Sequence, residues 1–245
     1  MGVVRFRTAL MFASVCLYGV CLNAQQNRPD DPPVATYSII AIDSETEEIG
    51  VAVQSRIPAV GSIVPWVQAG VGAIATQSFS NVRYGPEGLK LLAEGMTAEE
   101  AIQKLTDNDP DAARRQLGMI DARGNKATFT GEACLPWAGG KVGKHCVAQG
   151  NILHGEAVID AMIARFEQAE GTLAERLIDA LQAGQDAGGE KRGMQSAALY
   201  VARKDWGYAG LNDRFRDIRV DDAPDPIAEL RRIHRIHKEL FRRPE

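Results

Sequence analysis

A threonine that opens a polypeptide can serve as a nucleophile with its own α-amine as the base. That amine titrates near ~8, close enough to neutrality to accept the hydroxyl proton. In this sequence Thr36 opens the first clear strand pattern, TYSIIAI (36–42), just after a polar, proline-rich stretch, QQNRPDDPPV (25–34). Side chains alternate along a strand, so Ser38 shares the face of Thr36. Threonine is also simply a good strand former, which is the plainer explanation. Other polar residues stand at the ends of otherwise apolar strands. Ser55 and Arg56 close the second strand, Gln77, Ser78 and Asn81 close the fourth, and Asn151 closes a later one. Hydrolysis of an amide bond would use Thr36, or less directly Ser38, as nucleophile, with Ser55 and Asn151 in the catalytic group. Asn151 and Asn81 are candidate oxyanion donors. Arg56 could grip a substrate carboxylate through a bidentate pair, and Gln77 and Asn81 would line the substrate. The alternatives are a surface ion pair for Arg56 and turn-satisfying roles for the two asparagines.

Other chemistries have less support. The sequence contains no Gly-x-Ser-x-Gly elbow, phosphate-binding loop, dinucleotide fingerprint or His-Glu-x-x-His helix. Nothing calls for a cofactor or a metal. Of four histidines, His234 and His237 stand among Arg231, Arg232, Arg235 and Lys238, the pattern of a solvated helix face, while His145 and His154 flank a strand. Cys134 and Cys146 close a short loop. In an oxidising compartment they could form a disulfide, and otherwise they are two buried thiols. Nothing adjacent in sequence would lower the pKa of Cys134.

The elements that must position these residues are legible from periodicity. Residues 1–24 read as a secretory signal: Arg5 and Arg7, an apolar run from Thr8 to Leu22, then Ala24. That run is short for a membrane span, so the mature chain is expected to be exported, periplasmic or secreted, with no stable span; an uncleaved N-terminal anchor is the alternative. Residues 25–35 read as a flexible tether and 36–245 as one domain. Two hairpins are expected first, 36–42 with 49–55 and 60–68 with 71–78. Helices follow at 86–94 and from the capping box at Thr97 to about 106. A hairpin at 117–121 and 126–130 precedes a glycine-rich loop, 131–145, and a strand over 146–152. Helices at 156–168 and 173–183, a hairpin of 197–203 with 215–220 and a helix over 226–241 complete the chain. An apolar stripe of Ile227, Leu230, Ile233, Ile236 or His237, and Leu240 should seat that helix. Strands in hairpins argue for antiparallel sheets covered by helices, an α+β fold. Continuous apolar runs such as Ile39 to Ile42 indicate strands buried on both faces.

Charge excludes one class of partner. The formal net charge is −4, so nothing in the overall field favours nucleic acid. A small-molecule or peptide substrate is expected, and a homo-oligomer stays open.

The stretch Thr36–Asp43 followed by Gly50–Arg56 resembles the opening hairpin of N-terminal-nucleophile hydrolases such as proteasome subunits. More closely, the chain resembles the bacterial domain-of-unknown-function family numbered 1028, placed in that superfamily. The similarity rests on residues 36–56, 75–92, GEACLPWAGG (131–140), AQGNIL (148–153), QSAAL (195–199) and 220–232. It implies a four-layer αββα sandwich and no particular reaction. Two departures stand out: Gln54 occupies the place of a proteasome-type Asp, and Val60 to Ser78 contains no lysine. Cleavage after Ala24 would leave Thr36 internal, so freeing its amine needs a second cut, between Ala35 and Thr36. A non-catalytic ligand-binding or envelope-associated protein with the same fold is the competing expectation.

Overall fold

The computed structural model describes residues 1–2 and 32–242, so the signal segment and most of the tether lie outside the described residues. The strands and helices are, in order, β1 (Thr36–Asp43), β2 (Glu48–Ser55), β3 (Pro65–Gln68), β4 (Gly72–Ser78), α1 (Tyr84–Ala93) and α2 (Ala98–Asp107). Next come β5 (Arg115–Asp121), β6 (Lys126–Thr130), β7 (Gly139–Val142), β8 (Cys146–Gly150), α3 (Ala157–Gln168) and α4 (Leu173–Asp186). β9 (Ser196–Ala202), β10 (Arg214–Val220) and α5 (Pro226–Leu240) end the chain. Among the described residues these form two antiparallel sheets and five α-helices, an α+β fold. One sheet has six strands in the order β10-β9-β2-β1-β8-β7, and the other has four in the order β3-β4-β5-β6.

Alternation along β1 explains how both faces of its apolar run are used. Ile39 and Ala41 join a cluster with Ile159, Met162, Phe166, Leu177 and Leu181 of α3 and α4 and Leu230 of α5. Ile40 points the other way, into a cluster with Val51, Val53, Ala73, Ala75 and Ile120 that is shared by the two sheets. The opposite face of the four-stranded sheet, through Ile74, Leu117 and Met119, packs on α1 and α2. Capping boxes start two helices: Thr97 with Glu100 for α2, and Thr172 with Glu175 for α4. No helix among the described residues is long and apolar enough to cross a membrane.

The structure differs from the sequence expectations at four places. Val60–Ser62 is a 3-10 turn and β3 begins only at Pro65. The glycine-rich loop contains a strand, β7, paired with β8; glycine is required there because a Cβ on Gly140 would crowd the Thr128 hydroxyl. Val34 and Ala35, assigned to the tether, are buried in the domain. On α5, Ile227, Leu230 and His234 face the core while Ile236 and Leu240 are exposed. A spacing of 3, then 4, keeps to the 3.6-residue period, whereas the expected stripe drifted off it. His234 is therefore buried and not on a solvated face.

Gly85 marks the closest approach of α1 to its sheet, since a Cβ there would overlap the Trp66 indole. Gly85→Ala should cost about 2 kcal/mol through overpacking despite its better helix propensity. Thermal unfolding would then show Tm lower by roughly 4–8 °C.

Candidate active site

Thr36 and Ser38 project from β1 into the space between the sheets, on the same face as Ile40. The pairing of β1 with β2 sets Ser55 directly opposite Thr36. The Thr36 hydroxyl lies 3.1 Å from Ser55 Oγ and donates to the Val34 carbonyl at 2.9 Å. Across the gap, Gln77 of β4 and Gln116 of β5 continue the inward faces that carry Ala75 and Ile120. Ser38 Oγ donates to Gln77 Oε1 at 2.7 Å. Gln77 Nε2 in turn reaches the Thr36 carbonyl at 3.3 Å and Gln116 Oε1 at 2.8 Å. Asn151, one residue past β8, donates from Nδ2 to Gln116 Oε1 at 3.1 Å. Gln149 spans from β8 to the Ala75 carbonyl at 2.9 Å. Thr36, Ser38, Ser55, Gln77, Gln116, Gln149 and Asn151 are all 0% exposed. At this end the two sheets are joined by amides and hydroxyls where the rest of the interface is aliphatic. Such a buried network is costly unless satisfied, and it fixes its members rigidly.

The chain itself closes the site. Val34 makes an antiparallel bridge to Ser78, its N–H donating to the Ser78 carbonyl at 2.6 Å and its carbonyl accepting from the Ser78 N–H at 3.1 Å. Ser55 Oγ donates to the Ala35 carbonyl at 2.5 Å. Ser78 and Ile152, which flank this bridge and Asn151, adopt left-handed backbone, with φ of 67° and 56°. For a β-branched isoleucine that is strained, and strain of this kind gathers at functional sites.

Of the residues singled out in the sequence, Thr36, Ser38, Ser55, Gln77 and Asn151 come together. Arg56 is exposed, donating to the Met194 carbonyl and Gln195 Oε1. Asn81 is held by Asp109 Oδ2 at 3.0 Å and accepts from the Arg83 N–H, so it shapes the entry to α1. Gln54, compared above with the proteasome Asp, lies on the helix side of β2, and its amide has no partner among the described residues. Sequence reading missed Gln116, Gln149 and Thr130. The available signal was a polar residue at an inward position of a strand, as in Gln149 within CVAQG.

No carboxylate, ammonium or imidazole hydrogen-bonds into this network among the described residues. A proton leaving the Thr36 hydroxyl thus has one nearby basic destination, the Thr36 nitrogen, either as it leaves a breaking Ala35–Thr36 bond or as a free amine. Cys134 is not an alternative nucleophile, because burial pushes its thiol pKa up. Of the two readings of the cysteine pair, the disulfide is absent and the buried thiols hold: both cysteines are free. Cys146 packs with the helices on the outer face of the six-stranded sheet. Cys134 instead directs its Sγ to the Arg115 carbonyl of the four-stranded sheet.

A cavity of about 340 Å³ lies at the opposite end of β1, lined by Asp43, Glu48, Arg203, Trp206, Arg216 and His234 among others. Burial, reinforced by the Arg216 guanidinium, holds the His234 pKa down at about 4. Between about 4 and 6.5 the unfolded chain binds a proton there and the folded chain does not, so stability falls as pH falls through that window. Glu48, whose pKa burial raises, works in the other direction. Urea unfolding of wild type and His234→Gln isolates the histidine. Wild type should lose about 2 kcal/mol more than the variant between pH 7 and pH 5.

A family model described as "Family of unknown function (DUF1028)" matches residues 36–230. The crystal structure of protein SPO2555 from Silicibacter pomeroyi, itself matched to DUF1028, is 32% identical with a TM-score of 0.77, over 83% of this chain and 86% of that one. Anbu (ancestral beta-subunit) from Yersinia bercovieri is 10% identical with a TM-score of 0.35, over 86% of this chain and 99% of that one. No curated protein matches the chain.

Proposed function

As the chain belongs to DUF1028, a family of unknown function, its activity has to be read from its own residues, and we propose an amide-bond hydrolase of the N-terminal-nucleophile type with Thr36 as nucleophile. One observation carries this reading. Thr36 heads the strand that opens the domain, and its hydroxyl adjoins the Ser55 hydroxyl that holds the Ala35 carbonyl. Helices packed outside both sheets favour the four-layer αββα arrangement implied by the sequence resemblance.

The chemistry begins on the chain itself. Thr36 Oγ1 adds to the Ala35 carbonyl carbon, and Ser55 donates to the oxygen on which negative charge develops. The Ala35–Thr36 C–N bond breaks, and the nitrogen keeps the electron pair and gains the proton. Water then hydrolyses the resulting ester, leaving an Ala35 carboxylate and restoring the Thr36 hydroxyl. From that point the freed α-amine accepts the hydroxyl proton when Thr36 attacks a substrate amide and returns it to the leaving amine. Amides and hydroxyls surround Thr36, with no carboxylate or ammonium bonded to them among the described residues, so proton transfer rests on the amine alone. Substrates would be small molecules or short peptides, met outside the cytoplasm after export.

A ligand-binding protein without catalysis is the second reading, favoured by the 340 Å³ cavity remote from Thr36. The two separate on one assay. A chain produced to begin at Thr36 should hydrolyse alanine 4-nitroanilide, and the same chain beginning with Thr36→Ala should not. Equal release of nitroaniline by both, or by neither, would reject Thr36 catalysis.

A further inference from the structure

The segment that closes the site also shows what would fit there once it leaves. Val34 is held in two distinct ways. Its backbone makes both hydrogen bonds of an antiparallel bridge with Ser78, and its carbonyl accepts from Thr36 Oγ1 at 2.9 Å and from Asn151 Nδ2 at 3.4 Å. Recognition of an extended chain by main-chain bonding of this kind is sequence-independent and transfers to any peptide. Its side chain, by contrast, is 6% exposed within the aliphatic cluster that includes Val60 and Val64. Ala35 is 0% exposed, with its carbonyl on Ser55. Before Val34 the chain turns outward, and Pro32 is exposed. The closed region therefore embraces two residues, the first with room for an isopropyl group and the second for a methyl. Its walls are fixed, since Ser78 and Ile152 hold left-handed backbone at its edges, and close-packed surroundings resist enlargement.

We infer that the groove filled by Val34 and Ala35 is the acyl-binding subsite of this enzyme, and that it selects extended peptide amides with alanine beside the scissile bond and a valine-sized aliphatic residue before it. This rests on the reading of Thr36 as nucleophile. The hydrogen-bonding partners would be those now used by the chain: Ser78 for the backbone, Asn151 for the preceding carbonyl and Ser55 for the carbonyl under attack. After cleavage the departing carboxylate end at Ala35 is itself a product occupying that groove. The mature enzyme would act on other chains that present the same two residues.

The test uses the chain beginning at Thr36, and its Thr36→Ala counterpart as a binding-only form. Three probes are offered: the 4-nitroanilides of N-acetyl-Val-Ala, N-acetyl-Val-Phe and N-acetyl-Val-Glu. Hydrolysis should favour the alanine probe over the other two by roughly 10–200-fold in kcat/KM, the range a snug apolar pocket delivers. Calorimetric titration of the Thr36→Ala form with N-acetyl-Val-Ala carboxylate should show binding, and titration with the Phe and Glu analogues should show at least about tenfold weaker binding. Hydrolysis with no preference, or equal binding of the three acids, overturns the subsite assignment. Selective binding of N-acetyl-Val-Ala without hydrolysis of any probe supports the subsite while removing Thr36 as nucleophile. Absence of both hydrolysis and binding overturns both.

Discussion

Purified chain that still carries residues 25–35 should divide between Ala35 and Thr36 on incubation, and Thr36→Ala should remain whole indefinitely. The reason is geometric. In the proposed step the Thr36 oxygen is the atom that adds to the preceding carbonyl, so its loss removes the reaction rather than slowing it. Ser55→Ala should be slower by about 10²–10³-fold, the usual consequence of losing one donor to a developing oxyanion. Ser55 Oγ is 2.5 Å from the Ala35 carbonyl, the shorter of its contacts here. Asn151→Ala should slow the cut less, because its Nδ2 contacts the Val34 carbonyl at 3.4 Å and not the carbonyl under attack. Mass spectrometry over a time course separates the three variants. A Ser55→Ala rate equal to wild type would remove the oxyanion role from that hydroxyl.

The second large effect is on stability. Gln116→Leu should lower the unfolding free energy by about 3–5 kcal/mol, even though it keeps volume and adds apolar surface. Gln116 Oε1 accepts from Gln77 and Asn151, and Nε2 donates to Thr130 Oγ1 at 3.0 Å and to the carbonyls of Gly139 and Gly150 at 3.2 and 2.8 Å. Replacement leaves several of these groups buried and unpaired, each at about 1–3 kcal/mol. Against a typical total of 5–15 kcal/mol, that is a severe loss. Gln103→Leu on the exposed face of α2 is the control and should change stability by no more than about 0.5 kcal/mol. Urea midpoints at constant slope compare the two. A Gln116→Leu protein as stable as the control would mean that the amides are not what fastens the two sheets at this end.

The fold was readable in outline because burial on two faces leaves a mark. A run such as Ile39–Ile42 has no polar alternate, and only a strand between two apolar layers needs that. The first hairpin was readable too, but its consequence was not carried to the side chains. Pairing of Asp43 with Glu48 across a four-residue turn puts Thr36 opposite Ser55 and turns Gln54 to the helices. Gln54 therefore does not face the network around Thr36. Glycine concealed β7, since Gly139 and Gly140 carry no β-propensity and are set by close neighbours. His234 was misplaced by its charged neighbours in sequence, whereas the 3.6-residue period sets it on the face of Ile227 and Leu230.

Five of the seven catalytic and substrate-contact candidates converge because they share one physical property: polar groups on inward strand faces near one edge of the interface. Arg56 falls outside because it comes after the last paired residue of β2, where side chains no longer obey the pleat. Asn81 falls outside because it belongs to the turn into α1. The cysteine pair failed as a disulfide for a reason hidden in sequence, namely that loop length says nothing about which sheet each thiol packs against.

Intact mass of the protein recovered after expression of the whole sequence from Met1 reads the decisive event directly. A first residue of Thr36, with wild type trimmed and Thr36→Ala retaining the preceding residues, is the expected result. A wild-type chain that starts at Gln25 and keeps that mass through prolonged incubation would leave the threonine amine locked in a peptide bond and its hydroxyl without a base.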